Sequence, residues 1–362
     1  MPQAAPSRRR TRRRGHARGF TLVELLVTIS IIAILASVLL GTLFFSAEKA
    51  RDARTRAMIT RLDQAITIRW ETYRTRRVPV DVEETALALG AGLDSDNPHH
   101  VALIRLLVLR ELMRMELPDR WADVFDPPAI PTLARPAISN AYFQWYSEIG
   151  PNDLNQGPEC LYMIVTMGGM GDDAVVQDHF RSADVGDTDE DGAPEFLDGW
   201  GRPIRFLRWA PGFVSELQPD ADATTVDDPS TPEVEGIERD VMNNHDPFDP
   251  LKCDLPESML MAIGGQKFVG LRTTENPFAG FRLFPLIYSS GPDGVPDIRG
   301  DFLTTTGVVN YSTTVPPNDP YYDGDPANSS LDRWIGSVVD IDNDGLNNLD
   351  NIHNHILGGS VR

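Results

Sequence analysis

Hydrophobic and polar positions along the chain fall into two regimes that meet near Pro79. From Leu25 to Phe45 no residue is charged, a run of 21 residues rich in Leu, Ile and Val. At a rise of about 1.5 Å per residue this run spans about 30 Å as a helix, the thickness of a bilayer's hydrocarbon core. Met58, Leu62, Ile66, Trp70 and Tyr73 then recur at spacings of four and three, which places them on one face of an amphipathic helix. Val78-Pro79 ends the pattern, because proline lacks the amide that the next turn needs. The pattern therefore predicts one long helix, with a transmembrane half over 20–46 and an amphipathic stalk half over 47–78. Sustained a/d heptads are absent, so an extended coiled coil is not expected.

Beyond Pro79 the periodicity shortens and breaks. Val101–Met115 reads as a helix, Pro127-Pro128 and Pro131 as turns, and Glu159–Val165 as a further helix. Ile204–Trp209 and Phe281–Tyr288 read as short strands between connections rich in Asp, Pro and Gly. The acidic stretch Pro219–Asp249, rich in Asp, Pro and Thr, reads as an exposed or disordered loop. The expected class is α+β: a long N-terminal helix packed on a small antiparallel sheet, with inserted helices and loops. Residues 79–362 would form an exported globular head.

Charge separates the first residues from the rest. Residues 1–19 hold seven arginines and no carboxylate, and without them the net charge falls from −20 to −27. A body that acidic repels nucleic acid and attracts divalent cations or basic partners. The arginine run precedes an apolar span directly, so it reads as a topology signal that keeps the N-terminus in the cytoplasm. A secretory signal peptide has a shorter apolar stretch with a small-residue cleavage site after it. Here the convincing processing site, Gly19/Phe20, lies before the apolar run. Glu24 is the anomaly: a carboxylate in a membrane segment is costly and calls for a positive partner. Cleavage after Gly19 would supply one, the free amine of Phe20 on a neighbouring subunit.

Gly19-Phe20-Thr21-Leu22-Val23-Glu24-Leu25-Leu26 after a basic leader resembles the prepilin cleavage and methylation motif of type IV pilins and type II secretion pseudopilins. The resemblance implies that a membrane peptidase removes the leader 1–19 and methylates Phe20, and that Glu24 guides assembly. Such families often carry a helix-kinking proline near the end of the apolar half, where this chain has Gly41. Two head segments resemble the major pseudopilin type: Asp198-Gly199-Trp200-Gly201-Arg202-Pro203 before a strand, and Tyr288-Ser289-Ser290-Gly291-Pro292-Asp293-Gly294 leaving one. The segments 80–185 and 210–280 are insertions outside the resemblance. The implied function is a structural subunit of a secretion pseudopilus or a pilus. Its implied partners are prepilin peptidase, other pilin subunits, an inner-membrane assembly platform and lipid, with the head in the periplasm. The alternative is a membrane-anchored exported calcium-binding or adhesion protein that uses the pilin signal for delivery.

Three acidic loops are candidate calcium sites. Asp187, Asp189, Asp191, Glu195 and Asp198 stand at positions one, three, five, nine and twelve of a loop with Gly192 at six. In that pattern alternating oxygens converge on a hard cation and the glycine makes the sharp turn. Asp340, Asp342 and Asp344 repeat the first half, with Gly345, Leu346 at seven and Asp350 at eleven. The third candidate, which includes Asp293 and Asp297, rests on the resemblance, since the loop after that family's second strand binds calcium. His353 and His355 read as part of a solvated tail. Cys160 and Cys253 have no Cys/His cluster around them, so zinc is not expected, and either a disulfide or two buried thiols is open. No nucleophile elbow or phosphate loop is present in the sequence, and the expectation is a non-enzymatic protein.

Overall fold

The computed structural model of the 362-residue chain describes 21–89, 93–168, 180–210, 212–213, 215, 217–218, 246–251, 253, 282–300, 335–338 and 351–355. Two units divide it, residues 1–49 and 50–362. The class is α+β, with helices α1 (Leu22–Thr72), α2 (Val82–Leu89), α3 (Pro98–Glu116), α4 (Trp121–Phe125), α5 (Ala137–Ile149) and α6 (Gln156–Met167). Five short strands follow: β1 (Val185–Gly186), β2 (Glu195–Phe196), β3 (Arg205–Leu207), β4 (Leu286–Ser289) and β5 (Ile352–His353).

In the first unit every described residue is exposed helix or the cap before it. The hydroxyls of this apolar stretch are satisfied by their own helix. Thr28, Ser30, Ser37 and Thr42 each donate at 2.8 Å to a carbonyl three or four residues back. Back-bonding of this kind removes polar groups from an apolar surround, where an unsatisfied one costs several kcal/mol.

In the second unit, the stalk part of α1 turns Met58, Ile59, Leu62, Ile66 and Trp70 inward, and all are buried. These are the residues of the periodic stripe, with Ile59 added. Regular α-helix ends at Thr72, somewhat before the proline. The last turn tightens there, with Tyr73 and Arg74 donating to carbonyls three residues back at 3.2 and 3.3 Å. Tyr73 and Arg76 then both bind the Glu116 carboxylate at the end of α3.

Helix α3 is the centre of the second unit. Asn97 caps it by accepting the His99 amide at 3.0 Å, with Pro98 in the first turn. From Leu103 to Met115 almost every residue is buried, including Arg110, Glu111 and Arg114. Those charges survive burial because they are paired. Arg114 meets Glu111 at 2.8 Å, and Arg208 meets Asp123 at 2.7 Å and Asp119 at 3.4 Å. Burial pushes the Asp123 carboxyl up, but Arg208, Arg120 and Arg114 outweigh it and hold the group well below the usual carboxylate range.

Strands β3, β4 and β5 form an antiparallel sheet in that order, with Phe206 opposite Ile287 and Tyr288 opposite His353. Strands β1 and β2 form a separate antiparallel hairpin, pairing Val185 with Phe196 and Gly186 with Glu195.

Two sequence expectations change, and one alternative left open is decided. His353 and His355 are not in a solvated tail. His355 is buried and His353 largely so, both edge-on to Phe213, because β5 carries them into the sheet. Cys160 and Cys253 are buried thiols not joined in a disulfide, and they lie in different clusters, Cys160 with Trp121 and Cys253 with the main core. The Cys253 thiol donates to Asp249 at 2.9 Å, so the thiol alternative is the one realised. The end of the acidic stretch is not exposed: Asp246 and Asp249 are buried, Asp246 against Arg110 at 3.4 Å. Residues 219–245 of that stretch lie outside the described residues.

Candidate functional site

The chain's chemistry gathers at its N-terminal apolar helix, at the turn that fastens sheet to stalk, and at the β1–β2 hairpin loop. At the start of α1, Thr21 and Glu24 cap each other. The Glu24 carboxylate accepts the Thr21 amide and hydroxyl at 2.9 and 3.0 Å, and the Thr21 hydroxyl accepts the Glu24 amide at 3.2 Å. This reciprocal box satisfies two of the orphan donors of a helix start. The charged residue of the motif thus sits where the helix begins, ahead of an apolar surface. From Leu22 to Phe45 the large apolar side chains stand open on all sides, from 48% exposed at Val27 to 79% at Leu22. A single helix of that length and composition passes the same test as a soluble core helix or a signal sequence. Its complete exposure sets it apart from a core helix. Gly19 and Phe20 lie outside the described residues.

The comparison with protein families decides between these readings. The model of the prokaryotic N-terminal methylation motif matches residues 14–40, which span the Gly19/Phe20 junction, Glu24 and most of the apolar run. The N-terminal segment is thus type IV pilin-like, over 27 of the chain's 362 residues. No curated protein and no solved structure matches it. The motif implies processing by prepilin peptidase and assembly with other pilin subunits, and with the apolar helix it points to membrane anchoring.

Beyond this N-terminal segment, the two head segments singled out by resemblance meet at one place. Asp198 accepts the Trp200 and Arg202 amides at 2.8 and 2.9 Å with one oxygen and the Ser289 hydroxyl at 2.7 Å with the other. Gly201 turns the chain with φ +84°, a backbone region that favours glycine. Arg202 then donates to the Gly291 carbonyl at 2.6 Å. The turn entering β3 is thereby locked to the turn leaving β4. On its other side it touches the stalk: the Gly199 amide donates to the Thr55 hydroxyl at 2.8 Å, and that hydroxyl donates to the Arg51 carbonyl at 2.9 Å.

Of the residues in the first acidic loop, two come together and three do other work. Asp187 accepts the Asp191 and Gly192 amides at 3.2 and 2.9 Å and shapes the hairpin loop from inside. Glu195 is saturated by the Thr188 amide and hydroxyl and by the Asn155 amide group, at 3.0 to 3.1 Å. Asp198 belongs to the turn described above. Asp189 and Asp191 face Glu159 in the first turn of α6, and ligand oxygens of the three lie within 4.8 Å of one another.

Glu159 is 0% exposed. Neither its two oxygens nor those of Asp189 have a hydrogen-bond partner. The neighbouring Trp121 indole donates instead to the Asn152 carbonyl at 3.0 Å. Burial, and then the charges of Asp191, Asp189 and Glu195, push the Glu159 carboxyl up to about 9. Burial also raises Glu195, to about 7, against the bonds from Thr188 and Asn155.

Sequence reasoning missed Glu159. The available signal was a lone carboxylate opening the apolar run Cys160–Val165. In the later loop Asp293 is exposed and accepts the Val295 amide at 2.9 Å, while Asp297 is buried with φ +42°. The candidates Asp340, Asp342, Asp344, Leu346 and Asp350 lie outside the described residues.

Proposed function

We propose that this chain is a structural subunit of a type II secretion pseudopilus or type IV pilus, cleaved after Gly19 and assembled through residues 20–46 of many copies. The supporting observation is a methylation motif that leads directly into a helix whose apolar side chains are open on every side. In lipid that surface needs no protein partner. Once the helix leaves the membrane, burying it against identical helices stabilises a filament by roughly 25 cal/mol per Å2 of apolar area.

Glu24 sets the register: its carboxylate, held at the helix start by Thr21, pairs with the new amine of Phe20 on the neighbouring subunit. An unpaired carboxylate in the packed core would cost several kcal/mol, so only the paired register is populated. The N-terminus lies on the cytoplasmic side of the inner membrane before assembly and the head lies in the periplasm. The acidic head places negative charge on the outside of the filament.

High-speed sedimentation of sheared surface material, from cells that express the chain with a prepilin peptidase and an assembly platform, tests the reading. The cleaved chain pellets as filaments, and Glu24→Gln leaves it cleaved but in the membrane fraction. A cleaved chain that stays monomeric refutes filament assembly and favours the membrane-anchored alternative.

A further inference from the structure

We propose that Glu159, Asp189 and Asp191 form a calcium site that fastens the β1–β2 hairpin loop to the first turn of α6. The three ligand oxygens lie within 4.8 Å of one another and come from two separate elements. Calcium binds oxygen at about 2.4 Å, so two of its ligand oxygens are at most about 5 Å apart. The spacing therefore brings all three within reach of one shared cation.

An acidic cluster by itself carries little, since exposed carboxylates gather without binding anything. Glu159 changes that. It is 0% exposed, yet both of its oxygens, like both of Asp189, lack a hydrogen-bond partner. Buried polar atoms in native structures are nearly all satisfied, and an orphaned carboxylate calls for an explanation. Other carboxylates around it show how the fold normally treats such a group. Glu195 is saturated by Thr188 and Asn155, and Asp198 by two amides and a hydroxyl. Among the described residues no arginine or lysine pairs with Glu159, Asp189 or Asp191, which leaves the cluster open to a cation from solution.

The donor set selects the ion. Three carboxylates and no nitrogen or sulfur suit a hard cation over a transition metal. Calcium accepts six to eight oxygens in flexible geometry, so loop carbonyls and water can complete its shell. Asp191 keeps acceptor capacity for this, since its oxygens take one amide each, from Asn152 at 2.6 Å and from Ala193 at 2.8 Å. Those two bonds also fix its direction. Glu190, between the two aspartates, has φ +60°, a conformation uncommon for a residue with a side chain.

The test is equilibrium dialysis of radioactive calcium against the full-length, EDTA-stripped chain in detergent micelles, with Glu159→Gln and Asp189→Asn beside it. Glutamine keeps the shape of Glu159 and lacks its charge, and circular dichroism checks that each variant is folded. Each variant is expected to bind one calcium fewer per chain at saturation than the unmodified protein. Calcium should also slow proteolysis of the loop 187–194 in the unmodified chain alone. Should Glu159→Gln fail to fold, Asp189→Asn on the loop decides by itself. Folded variants that bind as much calcium as the unmodified chain overturn the proposal, as does a loss seen in Asp293→Asn and in neither of the two.

Discussion

A methyl group added at Gly199 should loosen the head from its stalk. A Cβ there would lie 2.4 Å from the Arg51 carbonyl oxygen and 2.7 and 2.8 Å from that residue's Cα and carbonyl carbon. These are backbone atoms in the middle of α1, so no side chain can swing aside. The turn must instead back away, and the displacement breaks the 2.8 Å bond from the Gly199 amide to the buried Thr55 hydroxyl. Overpacking of this kind costs about 1–3 kcal/mol, and a lost buried hydrogen bond adds about 1 kcal/mol. Gly199→Ala is therefore expected to lose about 2–4 kcal/mol, which lowers Tm by about 3–6 °C in a unit of this size.

Gly201→Ala is the internal control. That site has positive φ but open space, with nothing within 4 Å of the added carbon, so it costs only the left-handed backbone, about 1–2 kcal/mol. Urea unfolding of the full chain in detergent, followed by tryptophan fluorescence, measures both. Thr55→Ala should cost about 1–3 kcal/mol alone and much less in the Gly199→Ala background, where the bond is already gone. A Gly199→Ala chain within about 0.5 kcal/mol of the parent, a change typical of an exposed site, would refute the close approach of turn and helix.

Asp123→Asn removes the carboxylate shared by Arg208, Arg114 and Arg120 in the buried network, and the loss of that negative charge among three guanidiniums should cost about 3–5 kcal/mol in urea unfolding. Trp70→Ala deletes a side chain 3% exposed that meets Phe248 edge-on at 5.3 Å, with an expected loss of about 3–5 kcal/mol by the same measurement. Burial lowers His355 from 6.5 to about 4, against the bond to the Pro285 carbonyl and with help from His353, and burial with the charge of Arg56 does the same to His353. Both are neutral when folded. On unfolding these two groups take up protons below pH 6.5, so their contribution to stability is full above that pH and is lost towards pH 4. Glu159 and Glu195, raised to about 9 and 7, pull the other way over that range. The test is therefore the difference in Tm between His355→Phe and the unmodified chain, which should shift in favour of the variant as pH falls from 6.5 to 4.

Helices were far more legible in the sequence than the sheet, for physical reasons. The stripe Met58, Leu62, Ile66, Trp70 and Tyr73 repeats at helical spacing over several turns and is buried as a set. Strands of two to four residues are too short to show a period, and β5 lies far from its partner in sequence. The two histidines were misjudged for that reason, since only the pairing of Tyr288 with His353 draws them inward. The acidic loop was legible as a loop because Asp and Gly alternate at fixed offsets, yet which carboxylates meet depends on α6. Glu159 comes from a helix separated from the loop by residues 168–186, and no local spacing encodes that distance. The turn at Asp198 was legible as a motif, and its contacts with Ser289 and Thr55 required the fold.

The central claim is that Gly19/Phe20 is the processing site of a pilin-like precursor, and the mature N-terminus tests it most directly. Mass spectrometry of the protein from cells with and without prepilin peptidase should find a chain that begins at Phe20 and carries an added methyl group, in the presence of the peptidase alone. An intact leader in both strains, or a cut after Phe45 at the end of the apolar run, would contradict the account.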